Sequence, residues 1–260
     1  MLIAALYASN AGLQAASTFL DVVGNNITNS DTTGYKTGQV TFQDLLYTGQ
    51  KPGAVNNGGS TIPAGTQLGS GAVVDAVTGK FTQGSITPTG APLDFAVSGE
   101  GFFRVTLADG TTGYTRAGNF TTDVNGTIVT DDGFKLAGGI NIPVNTSSVS
   151  LGADGTLTAT TPTGTVPIGT LTLTRFQNPG GLTRIGNTTF TAGPAAGTAI
   201  TSAPGTNGNG TVTQGSLEQS NVDIATELVN LLVAQRAFQF NTQAVQVESE
   251  TLQSTFALIP

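Results

Sequence analysis

A chain of 260 residues, 38% of them hydrophobic, can build one sizeable domain or two small ones, yet its 10% charged residues fall far below the usual quarter of soluble domains. The net charge is −7 and the nine Lys and Arg are scattered singly, so there is no basic stripe for phosphates or anionic lipid and nucleic acid is not expected as a partner. Without Cys or His, disulfides, thiol nucleophiles, imidazole triads and ordinary zinc sites cannot be assembled, and no run of 18 apolar residues is available to span a membrane.

The first predicted element is a helix over residues 1 to about 29. Leu6, Leu13, Leu20 and Ile27 stand seven apart, with Leu2, Ser9, Ala16 and Val23 filling the interleaved positions, and such a seam must be covered by other helices. Asp21 is the only charged side chain in residues 1–30, and the face opposite the leucines is Asn, Gln, Ser and Thr, as expected of a helix packed on several sides. Met1 to Ala11 mimics a secretory signal, but no Lys or Arg precedes the apolar run and the heptad continues past the supposed cut, so no cleavage is expected. The helix should fail at Asn25-Asn26-Ile27-Thr28-Asn29-Ser30, where short polar side chains compete for backbone hydrogen bonds, and Gly34 marks a turn. Alternation from Thr37 to Phe42 suits a strand. From Gly49 to Gly71, with Pro52 and Pro63, the composition reads as an extended connector or long loop, too long for a simple turn.

Between about Val73 and Gln219 the signals are those of β-structure. Phe102 to Leu107 precedes Asp109-Gly110, Asn119 to Thr122 precedes Asn125-Gly126, Thr127 to Thr130 precedes Asp132-Gly133, and Val149 to Leu151 precedes Asp154-Gly155. Such dipeptides between short alternating runs are strong hairpin signals, because both residue types tolerate positive φ. Thr165 to Phe176 adds a further strand region, and residues 192–211 read as a flexible surface loop. The pattern predicts an antiparallel barrel or sandwich. A second helix should start near Ser220-Asn221-Val222-Asp223, with Asn221 or Asp223 as cap, and run to the C-terminus; Ile224, Leu231, Phe238, Val245, Leu252 and Ile259 form its ladder. Its second seam is mixed, with Leu228 and Phe256 apolar but Gln235, Thr242 and Ser249 polar. The predicted fold class is α+β: terminal helices (1–30 and 220–260) pairing as a coiled-coil-like inner domain, a connector or long β-hairpin region (31–75) and a central, mainly antiparallel β domain (76–219).

Residues that could carry chemistry have simpler roles. Asp109, Asp123 and the pair Asp131-Asp132 each adjoin a turn glycine and read as hairpin turns more readily than as an acid pair; Asp123-Val124-Asn125-Gly126 lacks the later bidentate acid of a calcium loop. Gly99-Glu100-Gly101 is followed by strand residues, not by a helix that could hold phosphate. Arg236, amid apolar neighbours, reads as a snorkelling or capping side chain, and Phe102 and Phe103 as a core and a strand-surface residue. No catalytic residue, cofactor or metal site is expected. Spacing alone leaves the heptads open between an intrachain helix pair and an intermolecular core.

Asn25-Asn26-Ile27-Thr28-Asn29-Ser30-Asp31-Thr32-Thr33-Gly34-Tyr35-Lys36 resembles the signature of flagellar rod and hook axial proteins, commonly A-N-N-L-A-N-x-x-T-x-G-[FY]-K, with departures at Gly24 and Thr28. Four further blocks agree in order: Gln83-Gly84, Gly99 to Phe103, Tyr114 to Phe120, and Ser220 to Phe238. The resemblance implies signature positions Asn25, Asn26, Asn29, Thr32, Gly34, Tyr35 and Lys36, and a structural subunit that is a homo-oligomer, a helical polymer. It turns the heptads toward packing between subunits, through Leu6, Leu13, Leu20, Ile27, Ile224, Leu228, Leu231, Phe238, Val245 and Leu252. Phe42 to Tyr47, Pro52-Gly53 and Ile62 to Gly71 look like the connector of distal-rod members, with proximal rod or hook-type proteins as the competing assignment. By resemblance the partners are proximal rod proteins, the hook protein, the periplasmic and outer-membrane rings and the flagellar export apparatus, and export proceeds without a cleaved signal peptide. A reading of a different class is a surface-binding β domain carried on a helical stalk.

Overall fold

The computed structural model describes the backbone of residues 2–51 and 66–257, which divide into two compact units. One gathers residues 1–27, 38–78 and 224–260; the other gathers 28–37 and 79–223.

The first unit contains helix α1 (Leu2–Thr28), strands β1 (Gly38–Asp44), β2 (Tyr47–Lys51), β3 (Thr66–Gly69) and β4 (Ala72–Gly79), and helix α2 (Ile224–Ala257). On α1 the fully buried positions are Ala15, Ala16, Val23 and Asn26, whereas Leu6, Leu13, Leu20 and Ile27 are half-buried. On α2 the buried line runs through Glu227 and Ala234, with Leu231, Asn241, Val245 and Leu252 half-buried. Two of the described contacts fix how the helices run. Asn26 Nδ2 donates to Glu227 Oε1 at 3.4 Å, and Gly12 faces the Asn241 amide so closely that a Cβ there would lie 2.8 Å from Oδ1. The two contacts are equally spaced along the helices but in opposite sense, so the helices are antiparallel.

Where Gly49 to Gly71 reads from sequence as a connector or loop, its described part is paired. β2 and β3 run antiparallel with Tyr47 opposite Gly69 and an irregularity between Gly49 and Lys51, and β1 pairs with β4. Leu45 N–H to Gly71 O at 2.9 Å and Ser70 Oγ to Leu46 O at 2.8 Å join the two pairs into one ribbon. Glycine and polar residues make β2 and β3 hard to find by a periodicity test. Two-stranded ribbons are marginal alone. This one lies along α1, with Phe42 edge-on to Phe19 at 6.0 Å and Gly71 against the Ala8 backbone. Pro52 and Pro63, read as blocks to pairing, lie outside the described residues, as does Ile259.

The second unit carries sixteen described strands: β5 (Ile86–Pro88), β6 (Phe95–Ser98), β7 (Phe102–Thr106), β8 (Thr112–Thr115), β9 (Phe120–Thr122), β10 (Ile128–Thr130), β11 (Lys135–Leu136), β12 (Ser148–Leu151), β13 (Thr156–Thr161), β14 (Gly164–Thr170), β15 (Leu173–Arg175), β16 (Leu182–Gly186), β17 (Thr189–Ala192), β18 (Ile200–Ser202), β19 (Thr211–Gln214) and β20 (Ser216–Glu218). The main sheet runs β16-β17-β8-β7-β11-β10-β9, and β15 shares an edge of β7 with β11 while pairing outward with β18. β12-β13-β14 form a three-stranded sheet, and β6/β19 and β5/β20 form pairs. The described pairings in this unit are antiparallel. Gly110, Gly126, Gly133 and Gly155 supply the expected turns at φ of 81°, 80°, 82° and 85°.

Three local readings are corrected. Phe103 enters a core with Phe95, Val105, Ile128, Leu157 and Leu173, while Phe102 enters a second with Tyr114, Phe176, Leu182 and Phe190. Neither ring is at the surface, because both faces of β7 are covered. The region from Thr165 to Phe176 breaks into β14 and β15, which join different sheets. Residues 192–211 are not a plain loop: they hold a 3-10 turn at Pro194–Ala196 and strand β18, and Asn209 is buried, donating to Leu173 O at 2.8 Å. Positive φ at Gly197, Asn207 and Gly208 folds this stretch onto β15 without a regular hydrophobic pattern.

Candidate assembly interface

The signature begins with a side chain that imitates a strand. Asn26 accepts the Gly38 N–H at 2.8 Å and donates to Gly38 O at 2.9 Å, fixing the first residue of β1 to α1. Gly38 has no side chain to hold this distance open; a Cβ would come within 3.2 Å of Val22. Asn25 is exposed. After the helix, Thr32 N–H and Oγ1 return to Asn29 O at 3.2 Å and Asn29 Oδ1 at 3.0 Å, and Tyr35 N–H closes on Thr32 O. Gly34 stands at φ 69°, and a Cβ there would overlap the Ala117 amide. This position therefore requires glycine for both conformation and room.

Lys36 follows, fully buried. Its Nζ donates to Glu218 Oε1 at 2.5 Å and to Thr82 O at 2.9 Å, while Arg116 Nη1 lies 3.2 Å from Glu218 Oε2. Gly84 N–H donates to Glu218 Oε1 at 2.9 Å, Gly34 N–H to Glu218 O at 2.8 Å, and Arg116 Nη2 to Gly99 O at 2.8 Å. Asn221 is not a simple helix cap. Its Oδ1 accepts Thr37 N–H and Oγ1 at 2.8 and 2.7 Å, and its Nδ2 donates to Lys80 O and Thr82 O. Arg184 closes the cluster, donating to Lys36 O at 2.6 Å with its guanidinium 5.3 Å from the Tyr35 ring centroid. Glu218 thus touches three of the five sequence blocks directly, through Gly34, Lys36, Gly84 and Arg116, and sequence reasoning passed it over, as it did Thr82 and Arg184. The only local signal of Glu218 is a place two residues before the Ser220-Asn221 block.

Two cations share one carboxylate here. Burial pushes the Lys36 ammonium below its ordinary pKa, against the attraction of Glu218, and Arg116 is lowered for the same reason. The shared carboxylate offsets part of that desolvation for both cations. Asn26, Tyr35 and Lys36 of the signature therefore turn inward and fasten the chain to itself. The turn carboxylates are likewise engaged: Asp109 accepts Thr111 N–H, Asp123 accepts the amides of Asn125 and Thr127, and Asp154 accepts Thr156 N–H. Asp131 accepts from Asn119, and Asp132 from Asn187 at 2.7 Å.

What turns outward is apolar and belongs to the first unit. On α2, Ile224, Leu228, Val229, Leu232, Val233, Phe238, Phe240 and Val247 are each more than a third exposed; on the ribbon, so are Phe42, Leu45, Leu46, Tyr47, Leu68, Val73 and Val77. Among the sequence-predicted contact residues, Leu6, Leu13 and Val245 line one shallow hollow between α1 and α2, together with Tyr7 and Asn10. Ile224, Leu228 and Phe238 face outward, and Leu20, Ile27, Leu231 and Leu252 are half-buried. In the second unit the large exposed apolar side chains, among the described residues, are five scattered ones: Val124, Val144, Val166, Ile185 and Ile200. Isolated residues of that kind are ordinary, whereas a continuous apolar helix face is not.

An inward clasp and an outward apolar helix face suit a structural, self-associating protein, and comparison with known families places the chain in the flagellar rod and hook class. Three family models match in chain order: flagella basal body rod protein over residues 6–36, flagellar hook protein FlgE/F/G D1 domain over 96–159, and flagellar basal body rod FlgEFG protein C-terminal over 213–258. The chain is 37% identical to flagellar basal-body rod protein FlgG of Buchnera aphidicola over 255 residues, covering 97% of this chain and 98% of the relative. It is 37% identical to that of Caulobacter vibrioides over 258 residues (98% of each) and 38% identical to that of Bacillus subtilis over 257 residues (95% and 96%). The hook protein FlgE of Escherichia coli is 40% identical over 128 residues, about half of this chain. The chain belongs to the FlgG family of flagellar basal-body rod proteins.

Proposed function

We propose that this protein is a structural subunit that polymerises into the helical distal rod of the flagellar basal body, the shaft that transmits torque to the hook. The observation that carries the reading is the uncovered apolar face of α2, on a chain that resembles FlgG over nearly its full length. Each large aliphatic side chain removed from water contributes about 1.5–3 kcal/mol, so a handful on one face suffices to hold copies together. Copies joined through unlike surfaces that do not close on themselves build a helical polymer.

In this reading α1 and α2 pair in coiled-coil fashion as the inner layer, with Leu6, Leu13, Leu20, Ile27, Ile224, Leu228, Leu231, Phe238, Val245 and Leu252 shared between the intrachain seam and neighbouring subunits. The ribbon is the connector, laid against adjacent subunits to stiffen the shaft, and the central β domain makes outer contacts. The neighbours in the assembly are proximal rod proteins below, the hook protein above and the periplasmic and outer-membrane rings around it, and the chain reaches its place through the flagellar export apparatus without signal cleavage. No helix among the described residues is long and apolar enough to cross a membrane. Electron microscopy of the purified chain across a concentration series is the direct test: straight filaments above a critical concentration are expected, and single compact particles at every concentration would overturn the reading.

A further inference from the structure

The two helices carry few charges, four acids and a single base. Arg236 is the only basic residue on either helix, and Asp21 is the only charged residue on α1. Both are exposed, and among the described residues neither side chain makes a hydrogen bond or an ion pair. Arg236 does not lie at the edge of the apolar face of α2, where a long side chain could reach water. It stands in its middle: Val229, Leu232 and Val233 lie seven, four and three residues before it and Phe240 four after, all on one helical face and all exposed. Any partner that covers this face must therefore desolvate a guanidinium, which is tolerated only if the partner brings a carboxylate to it.

We infer that the outward face of α2 docks on α1 of a second copy of this chain, with Arg236 of one copy paired to Asp21 of the next. This rests on the rod-subunit reading. Asp21 lies on an exposed stripe with Gln14, Ser17 and Asn25, bordered by the half-buried Leu13, Leu20 and Ile27. That border supplies the apolar surface the α2 face needs, and Asp21 the single counter-charge. Glu250 is the other exposed acid on the helices, but it lies on Arg236's own face two heptads along, so reaching it would require parallel copies of α2 to slide about 21 Å past one another. Arg236 and Asp21, on different helices, give a contact that repeats from copy to copy and sets which helix meets which.

Full-length Arg236→Glu, Asp21→Arg and the double variant test the pairing, with filament mass read by sedimentation and electron microscopy, and unchanged thermal unfolding of each monomer as the folding control. Each single variant is expected to lose about tenfold or more of its sedimentable polymer, because like charges then face each other at every contact. The double variant, and an equimolar mixture of the two single variants, should both recover it. Single variants that polymerise like the parent would overturn the pairing. So would a mixture that stays dispersed: if the double variant recovers alone the pair lies within one chain, and if neither recovers the partner of Arg236 is another carboxylate, for which Arg236→Glu mixed with Glu250→Arg is the comparison. Failure of the unsubstituted chain to polymerise would strike the rod reading itself.

Discussion

Glu218 holds two buried cations, and this asymmetry ranks the substitutions around it. Glu218→Gln leaves Lys36 and Arg116 facing each other without a counter-charge and should cost about 3–5 kcal/mol. Lys36→Met removes two hydrogen bonds but leaves Arg116 and Glu218 balanced, so a smaller loss of about 1–3 kcal/mol is expected. Denaturant unfolding of both variants checks the order, and equal losses would contradict it. The turn aspartates predict a separate acid response. Hydrogen bonds from Thr111, Thr127 and Thr156 hold Asp109, Asp123 and Asp154 below the ordinary carboxylate value of 3.8. A carboxyl lowered on folding contributes stability that is complete above its unfolded value and is lost as pH falls through the folded one. Amide exchange at Gly110, Gly126 and Gly155 should therefore quicken, beyond the intrinsic rate, only as pH drops below about 4. At this scale the sequence displayed Gly34 and Lys36 through their motif but not Glu218, because the contact spans 182 residues and leaves no local period.

Elements were legible where a repeat forced them. The heptads marked both helices, and Asp-Gly and Asn-Gly marked the hairpins, since each rests on neighbours within a few positions. The alternation from Thr37 to Phe42 marked β1, whereas β18 escaped because positive-φ residues, not alternation, bring it to β15. The ribbon also offers the cleanest element-scale test. Replacing residues 48–68 by a two-residue Asn-Gly turn keeps Phe42 on Phe19 and Gly71 on Ala8, so the far-ultraviolet circular dichroism should be retained. The filaments should have a shorter persistence length by electron microscopy; filaments as straight as the parent's would remove the stiffening role.

At the level of the whole molecule, the two units divide labour by surface. The β-rich unit covers its large apolar residues in two cores, while the helical unit leaves a row of them open. This division predicts that Leu232→Asp, a substitution at a position 57% exposed, leaves the monomer's unfolding midpoint within a degree or two and abolishes polymerisation. Filaments from that variant would show that another surface carries the assembly. Spacing in the sequence could not decide between an intrachain and an intersubunit use of the heptads, because a helix has several faces. The structure gives α2 both a buried line through Glu227 and Ala234 and an open one through Leu228 and Leu232.

The notch at Gly12 has a mechanical meaning. Asn241 sits over Gly12, where an added methyl group would press on its amide. Sliding by a turn would part Asn26 from Glu227. The helices are thus keyed in register, and a shift of one along the other would undo both contacts at once.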